Sequence, residues 1–257
     1  FYGLTGSLNK KYGIGKNLDP KIAFKYYKKN ILNKDTDVFI HSWSVNFKKE
    51  LVKLYKPKSH IIERQKYFKT NYSNFEIKKV YYYFKLFIKF LLNQTNLKEQ
   101  LKISRIRSHA IKSRWLSSKK VLNLKDKYEK KHKFKYDIVL LTRLDLIFLK
   151  KINLKKIDSN FFYASNWNSV NFKNKKVSFK LNNMNSSHGF MDLWFISNTD
   201  NMNLFSRLYD YLDKIDTDSP HRQSYNFAKK MGFKIKYFLF RWKDYELVRR
   251  KIFRYKV

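Results

Sequence analysis

The feature that most constrains the fold is a short apolar run that ends abruptly in charged residues. Residues 138–141 read Ile-Val-Leu-Leu and are followed at once by Thr142, Arg143, Leu144 and Asp145. An unbroken apolar run of this length is typical of a strand that is covered on both faces of a sheet. Because alternate residues of an extended chain face the same side, Arg143 and Asp145 are predicted to point together into one cleft. The alternative is an ion pair that only ties two elements of the fold together.

The rest of the chain alternates between strand-like and helix-like patterns. This alternation predicts an α/β fold with a mostly parallel central sheet flanked by helices. Further strands are predicted at 37–41, 161–165, 193–197 and 233–240, and helices at 202–212, at 219–232 and from Ser117 or Ser118 onward.

Positive charge is the second prominent feature. The 257 residues include 57 Lys and Arg against 20 Asp and Glu, which gives a formal net charge of +37. Such a charge is typical of phosphate binders, so a Lys-driven nucleic-acid-binding protein without catalytic activity is the alternative function. However, 46 of the 57 are Lys and only 11 are Arg. An AT-rich genome would produce this bias without selecting for a partner. Because no nucleic-acid motif is present, no specific nucleic acid is predicted.

Composition also excludes several classes of protein. Aromatic residues make up 18% of the chain, far too many for a disordered basic tail. The absence of Cys excludes disulfides, thiolate zinc sites and a cysteine nucleophile. No apolar run is long enough for a membrane-spanning helix, and a cytoplasmic location is predicted. The basic aromatic stretch 77–92 is predicted to be an amphipathic core helix, with peripheral association with anionic membranes as the alternative. Lys- and Asn-rich stretches at 9–16 and 168–185 are predicted to be surface loops.

Four further segments carry candidate site residues. A polar loop delivers Asp192 to the start of a strand, where it would act as a general base or bind a polar substrate, or simply open the strand. His221 is a candidate metal ligand or phosphate partner, with an ordinary polar role as the alternative. Arg114, within the basic aromatic segment 113–117, would contact a diphosphate or pack at a helix entry. The opening segment places Gly3, Thr5 and Ser7 where backbone N–H groups and hydroxyls can border a phosphate or nucleotide.

Taken in order, these segments resemble nucleotide-sugar glycosyltransferases of the GT-A type, particularly surface-polysaccharide and giant-virus or phage-borne relatives. Residues 1–8 are similar to the strand and loop that hold the nucleotide in such proteins. Residues 136–145 resemble the central strand that leads to their Asp-x-Asp motif, and 189–202 resemble the acceptor side. The resemblance implies one domain over 1–257 of GT-A (Rossmann-like) architecture, with a nucleotide-donor half at 1–145 and an acceptor half at 146–257. Because the chain begins at Phe1 rather than Met, a short N-terminal piece is expected to be missing.

The resemblance also implies a transferase that moves a sugar from a nucleotide-sugar donor to a glycan or surface-polysaccharide acceptor. Asp145 would hold a divalent cation, Mn²⁺ or Mg²⁺, or the donor itself, and His221 would be a further metal ligand. Asp192 would deprotonate or orient the acceptor hydroxyl, while Arg143 would offset the charge of the leaving group. Thr5 and Ser7, with the backbone of Gly3, would border the nucleotide.

The sequence departs from the family at Arg143, which stands where the first Asp of Asp-x-Asp is expected. Three interpretations remain open. Asp145 binds a cation together with water and the diphosphate. Alternatively, Arg143 and other cations stabilise the departing diphosphate without a metal. The third interpretation is an inactive relative.

Overall fold

The computed structural model describes most of the chain. The described residues are 1–6, 18–68, 84, 87–88, 97–166, 168–171, 178–181, 189–215, 219–241 and 243–249. Ser7 and the predicted loop at 9–16 lie outside these residues, as does most of the predicted helix at 77–92. Three residues of that helix, Phe84, Phe87 and Ile88, are described as helical, and their side chains are exposed. Exposure of these side chains does not support a core position for them.

Strands and helices occur together along the described chain, so the fold is α/β, as predicted. Short 3₁₀ helices lie at Val45–Phe47, Leu154–Lys156 and Ser206–Lys214. In chain order the other elements are β1 (Tyr2–Gly3), α1 (Pro20–Asn30), β2 (Phe39–Ser42), α2 (Lys48–Tyr55), β3 (Ser59–Ile62), α3 (Leu97–His132), β4 (Val139–Thr142), β5 (Leu146–Phe148), β6 (Phe162–Asn166), β7 (Asn168–Asn171), β8 (Ser178–Leu181), β9 (Phe190–Ser197), α4 (Thr199–Phe205), α5 (Pro220–Lys230), β10 (Ile235–Tyr237) and β11 (Tyr245–Leu247).

The sheets are small and mixed. One has the order β1-β2-β3 with parallel strands, and another has the order β10-β6-β9-β4, in which β9 runs antiparallel to both neighbours. A parallel bridge between Tyr2 and Arg143 links the two sheets, and the Leu144 N–H donates to the Tyr2 carbonyl at 3.2 Å. Across this bridge the strand order reads β3-β2-β1-β4. The order of the strands therefore reverses between β1 and β4.

Two antiparallel pairs lie beside these sheets. β5 pairs with β11, and the Val248 N–H donates to the Asp145 carbonyl at 3.0 Å. β7 pairs with β8, with Val170 opposite Phe179. The prediction of a loop across 168–185 is therefore wrong for these two strands. The density of Lys and Asn in this stretch masks two short runs in which apolar and polar residues alternate.

The core consists of two clusters of buried residues that share the strands between them. Along β6, Phe162 and Ala164 belong to one cluster and Tyr163 to the other. Side chains of α1 and α2 join the Tyr163 cluster, whereas side chains of α3, α4 and α5 join the Phe162 cluster. Because neighbouring strand residues face opposite sides, helices pack on both faces of the β-layer.

Helix α3 shows where the sequence pattern misled the prediction. The helix begins at Leu97, so the prediction of a start at Ser117 or Ser118 is wrong. Ser117 lies mid-helix and is fully buried, and its Oγ accepts the Gly3 N–H at 2.9 Å instead of capping the helix. Among the described residues, no helix is both long and apolar enough to cross a membrane. The predicted strands at 37–41, 161–165 and 193–197 and the helix at 219–232 are confirmed, the strand at 233–240 is shorter, and the helix at 202–212 becomes a 3₁₀ helix after Phe205.

Candidate functional site

A pocket of about 540 Å³ lies at the carboxyl ends of β1 and β4. Ligands of open α/β sheets bind at such a position, outside the strand ends where the strand order reverses. The volume falls within the usual range for small-molecule sites. A smaller pocket of about 270 Å³, near Phe1 and the start of β4, contains none of the predicted site residues. The larger pocket is lined by Gly3, Arg114, Arg143, Asp145, Asp192 and His221, all of which were predicted site residues.

Arg143 and Asp145, in the turn after β4, form a bidentate ion pair. Arg143 Nε donates to Asp145 Oδ1 at 2.7 Å, and Arg143 Nη2 donates to Asp145 Oδ2 at 2.7 Å. The Asp145 side chain is only 3% exposed, whereas that of Arg143 is 25% exposed. Burial alone would lower the pKa of Arg143, but the charge and hydrogen bonds of Asp145 raise it above its usual value. The two side chains therefore meet in one cleft, as their spacing predicts.

A second cluster joins three distant parts of the chain around Asp192. Arg114 Nη1, on α3, donates to Asp192 Oδ2, and Arg114 Nη2 donates to the Tyr2 hydroxyl at 2.9 Å. His221 Nδ1, in the first turn of α5, lies 2.8 Å from Asp192 Oδ1 and 2.9 Å from the Phe190 carbonyl. Because both of these neighbours are acceptors, Nδ1 carries the proton of a neutral His221 and Nε2 carries the lone pair.

The Asp192 carboxyl group is strongly acidic in this setting. Burial would raise its pKa, but the charges of Arg114, His221 and Arg143 outweigh burial and lower the pKa to about 2. Asp192 is thus ionised near neutral pH. A carboxylate with so low a pKa is a weak base; its Oδ2 accepts from Arg114, and its Oδ1 is buried 2.8 Å from His221 Nδ1, an ion-pair contact without hydrogen-bond geometry. This geometry suits a residue that orients His221 and Arg114.

The loop after β1 closes directly onto Asp145. Gly6 has φ +105°, and a Cβ at this position would lie 2.9 Å from the Asp145 Cβ and 2.8 Å from the Leu18 Cδ1. Only glycine permits this close approach. Thr5 is buried, its N–H donates to Ser44 Oγ at 3.1 Å, and it is not among the described residues that line the pocket. The predicted role of Thr5 beside the nucleotide therefore gains no support from its position.

A buried polar chain fixes the end of β1 beneath the pocket. His41 Nδ1 lies 2.6 Å from Ser117 Oγ, the atom that accepts the Gly3 N–H, and His41 Nε2 lies 3.2 Å from Glu63 Oε1. Lys120 Nζ donates to the same Glu63 oxygen. The neutral tautomer with Nε2–H satisfies every member, because Nδ1 then accepts the Ser117 hydroxyl proton. These hydrogen bonds link β1, β2, α3 and the residue after β3.

The buried His41 makes the free energy of unfolding depend on pH. Burial lowers the pKa of His41 from 6.5 to about 4, although Glu63 opposes the shift. Between these two values the unfolded chain binds more protons than the folded one, so stability falls as pH falls. Relative to a His41→Gln variant, the protein is expected to lose about 2 kcal/mol of unfolding free energy between about pH 7 and pH 5. Urea unfolding at both pH values measures this difference.

The exposed His60 on β3 provides the matched control for this measurement. A His60→Gln variant should keep the pH dependence of the parent protein, because the His60 side chain is exposed to solvent and the buried hydrogen bonds of His41 stay in place. Equal slopes for the parent and His41→Gln would contradict the assignment of a neutral buried His41.

Three arginines of the pocket escaped prediction from the sequence, namely Arg107, Arg241 and Arg249. The Arg241 guanidinium donates to Glu246 Oε1, with an Nη2–Oε1 distance of 3.1 Å. Five of the 11 arginines of the chain line the pocket, whereas no Lys occurs among the lining residues that the structure describes. The available signal was the rarity of Arg in a Lys-rich chain. A guanidinium group presents a planar fork of donors that the ammonium group of Lys lacks, so Arg residues are the stronger candidates for a phosphate-binding site.

The donor set of the pocket does not fit a divalent cation. Both Asp145 oxygens are held by Arg143, and Asp192 is held by Arg114 and His221. Within the described parts of the chain, no three His, Asp or Glu side chains come together as a metal-binding group. Mg²⁺ and Mn²⁺ prefer carboxylate, carbonyl and water oxygens, whereas the cationic side chains here would repel them. The metal role of Asp145 and His221 therefore stays a prediction, and the donor set does not favour it.

Comparison with known proteins adds no family to these observations. No protein-family model matches the sequence, and no curated protein matches it. The resemblance to GT-A glycosyltransferases therefore stays a prediction from the sequence. The observations that bear on function are the position and the side chains of the pocket.

Proposed function

We propose that the protein is a glycosyltransferase that moves a sugar from a nucleotide-sugar donor to a glycan or surface-polysaccharide acceptor. The observation that carries this proposal is the convergence of five arginines and two aspartates on one pocket at the strand ends. Guanidinium groups match the geometry of phosphate oxygens better than ammonium groups do. Codon bias enriches Lys over the whole chain and does not explain the concentration of Arg in this pocket.

The arrangement of the first strands supports a nucleotide-binding role. The parallel order β3-β2-β1-β4 is that of the nucleotide-binding half of doubly wound folds. We therefore propose a GT-A architecture, with a donor half at 1–145 and an acceptor half at 146–257. In this arrangement Gly3 and Arg143 border the crevice where a nucleotide would lie.

The chemistry follows from these side chains. The bond between the sugar C1 and the phosphate oxygen breaks, and its electron pair passes to the nucleoside diphosphate, whose charge Arg143 and its neighbours offset. The acceptor hydroxyl oxygen bonds to C1, and its proton passes to Nε2 of His221. Asp192 holds His221 in the required tautomer and stabilises the imidazolium that forms. This division of roles gives Asp192 the orienting function rather than that of the base.

A thermal-shift screen of UDP, GDP, CDP and dTDP sugars, run with EDTA and with Mn²⁺ or Mg²⁺, tests the proposal. A matching donor at about 100 times its Kd should raise the Tm by about 5–10 °C. The Arg207→Ala variant should show the same Tm shift as the parent protein, because Arg207 is exposed on a 3₁₀ helix and does not line the pocket. No shift with any nucleotide sugar under either condition, combined with strongly salt-dependent binding of DNA or RNA, would favour nucleic-acid binding instead.

A further inference from the structure

The pocket holds more positive charge than its own acidic groups can balance. Five arginines line it against two aspartates. Three ion pairs occupy the acidic groups: Arg143 with Asp145, Arg114 with Asp192, and Arg241 with Glu246. The acidic groups of the site are therefore each occupied by an arginine. An anionic ligand would relieve this excess of positive charge, whereas a divalent cation would add to it.

Arg249 is an arginine of the pocket wall that no carboxylate of the described residues pairs with directly. It has no hydrogen bond or ion pair to any residue that the structure describes, although it is only partly exposed in the pocket wall. Burial and repulsion from Arg143 and Arg241 lower the pKa of Arg249, and the opposing attraction of Asp145 and Glu246 only partly offsets them. A desolvated cation near like charges is unfavourable unless an anion satisfies it.

The fold holds Arg249 next to the charge pair that follows β4. The pairing of β11 with β5 places Leu247 opposite Leu146, the residue after Asp145. The Val248 N–H then donates to the Asp145 carbonyl at 3.0 Å, which fixes the backbone one residue before Arg249. Arg249 is therefore held beside Arg143 and Asp145 by backbone hydrogen bonds.

We propose that the pocket binds the diphosphate of its nucleotide through arginine side chains without a divalent cation, and that Arg249 makes a principal contact to that diphosphate. This inference rests on the proposed function, because it concerns how the donor is held. A cation at Asp145 would have to break two hydrogen bonds of 2.7 Å and displace Arg143. The Arg143–Asp145 pair instead presents Arg143 to the ligand in a fixed orientation.

Calorimetric titration of UDP, GDP, CDP and dTDP into the full chain, in EDTA and again in Mg²⁺ or Mn²⁺, tests the inference. At least one of these nucleoside diphosphates is expected to bind in EDTA, with an affinity that changes by less than about threefold when metal is added. Binding that appears only with metal would overturn the inference and leave the proposed glycosyltransferase intact. No binding under either condition would overturn both.

Arginine variants locate the contact. Arg249→Ala is expected to weaken nucleoside diphosphate binding in EDTA by about 10- to 100-fold, because a charge-assisted hydrogen bond is lost. Arg249→Lys keeps the charge and should lose less, which guards against misreading a folding defect. Arg207→Ala should bind as the parent does. Equal affinities for Arg249→Ala and Arg207→Ala, with unchanged melting curves, would refute the role of Arg249.

Discussion

Replacing Asp192 with alanine is expected to lower the free energy of unfolding by about 3–5 kcal/mol, because the buried Arg114 guanidinium then has no carboxylate to neutralise it. Arg114 loses the carboxylate that neutralises it, and its side chain is only 13% exposed. His221 loses the carboxylate that lies 2.8 Å from its Nδ1. The variant should therefore denature at a clearly lower urea concentration with an unchanged m-value, as measured by fluorescence of the tryptophans.

Asp210→Ala is the matched control for this experiment. Like Asp192, Asp210 forms an ion pair, in its case with Lys119. Its side chain is 46% exposed, so its loss should change the free energy of unfolding by less than about 1 kcal/mol. Asp192→Asn keeps the shape without the charge and should fall between the two. If Asp192→Ala were as stable as Asp210→Ala, the cluster around Asp192 would not be the buried ion pair described above.

Replacing Gly189 with alanine is expected to lower stability by about 2–5 kcal/mol and to dislodge the first turn of α5. Gly189 has φ +75°, and an added Cβ would lie 2.1 Å from the carbonyl oxygen of His221 and 2.7 Å from the backbone nitrogen of Arg222. Backbone atoms cannot rotate aside as a flexible side chain can. Relief of the clash must therefore move His221 away from Asp192 and the Phe190 carbonyl, so the variant should also bind no nucleotide sugar.

Gly232 offers a control with the same backbone strain and no clash. Its φ is +71°, but nothing lies within 4 Å of an added Cβ. Gly232→Ala should therefore lose only the conformational term, about 1–2 kcal/mol. Thermal melts of both variants separate the two contributions. Equal losses at the two positions would mean that the contact between Gly189 and the start of α5 is not tight in solution.

The local parts of this site were predictable from sequence, whereas its assembly was not. The apolar run before Arg143 predicts a strand. The two-residue spacing between Arg143 and Asp145 predicts that their side chains lie on the same side of the chain, and both predictions follow from backbone geometry alone. Arg114, Asp192 and His221 were predicted singly. That they meet depends on α3, β9 and α5 packing on one sheet, which no local pattern encodes.

The errors have a similar origin. Ser117 has the composition of a helix cap, yet it lies mid-helix because His41 and Gly3 use its hydroxyl across the core. No local pattern marks Arg249, because it follows β11, whose partner strand β5 lies far away in sequence. Ser and Arg side chains gain their roles from such long-range neighbours, so their local context is a poor guide.

The pairing of β5 with β11 also bears on the order in which the molecule is built. Residues 146–148 leave the ribosome long before residues 245–247, so β5 has no partner strand while residues 149–244 are synthesised. Contacts between such distant segments form late, because the loop between them must first be ordered. Arg241 and Arg249 are therefore expected to join the pocket late in folding. An incompletely synthesised chain would already carry Arg143 and Asp145 but would lack these two arginines of the pocket.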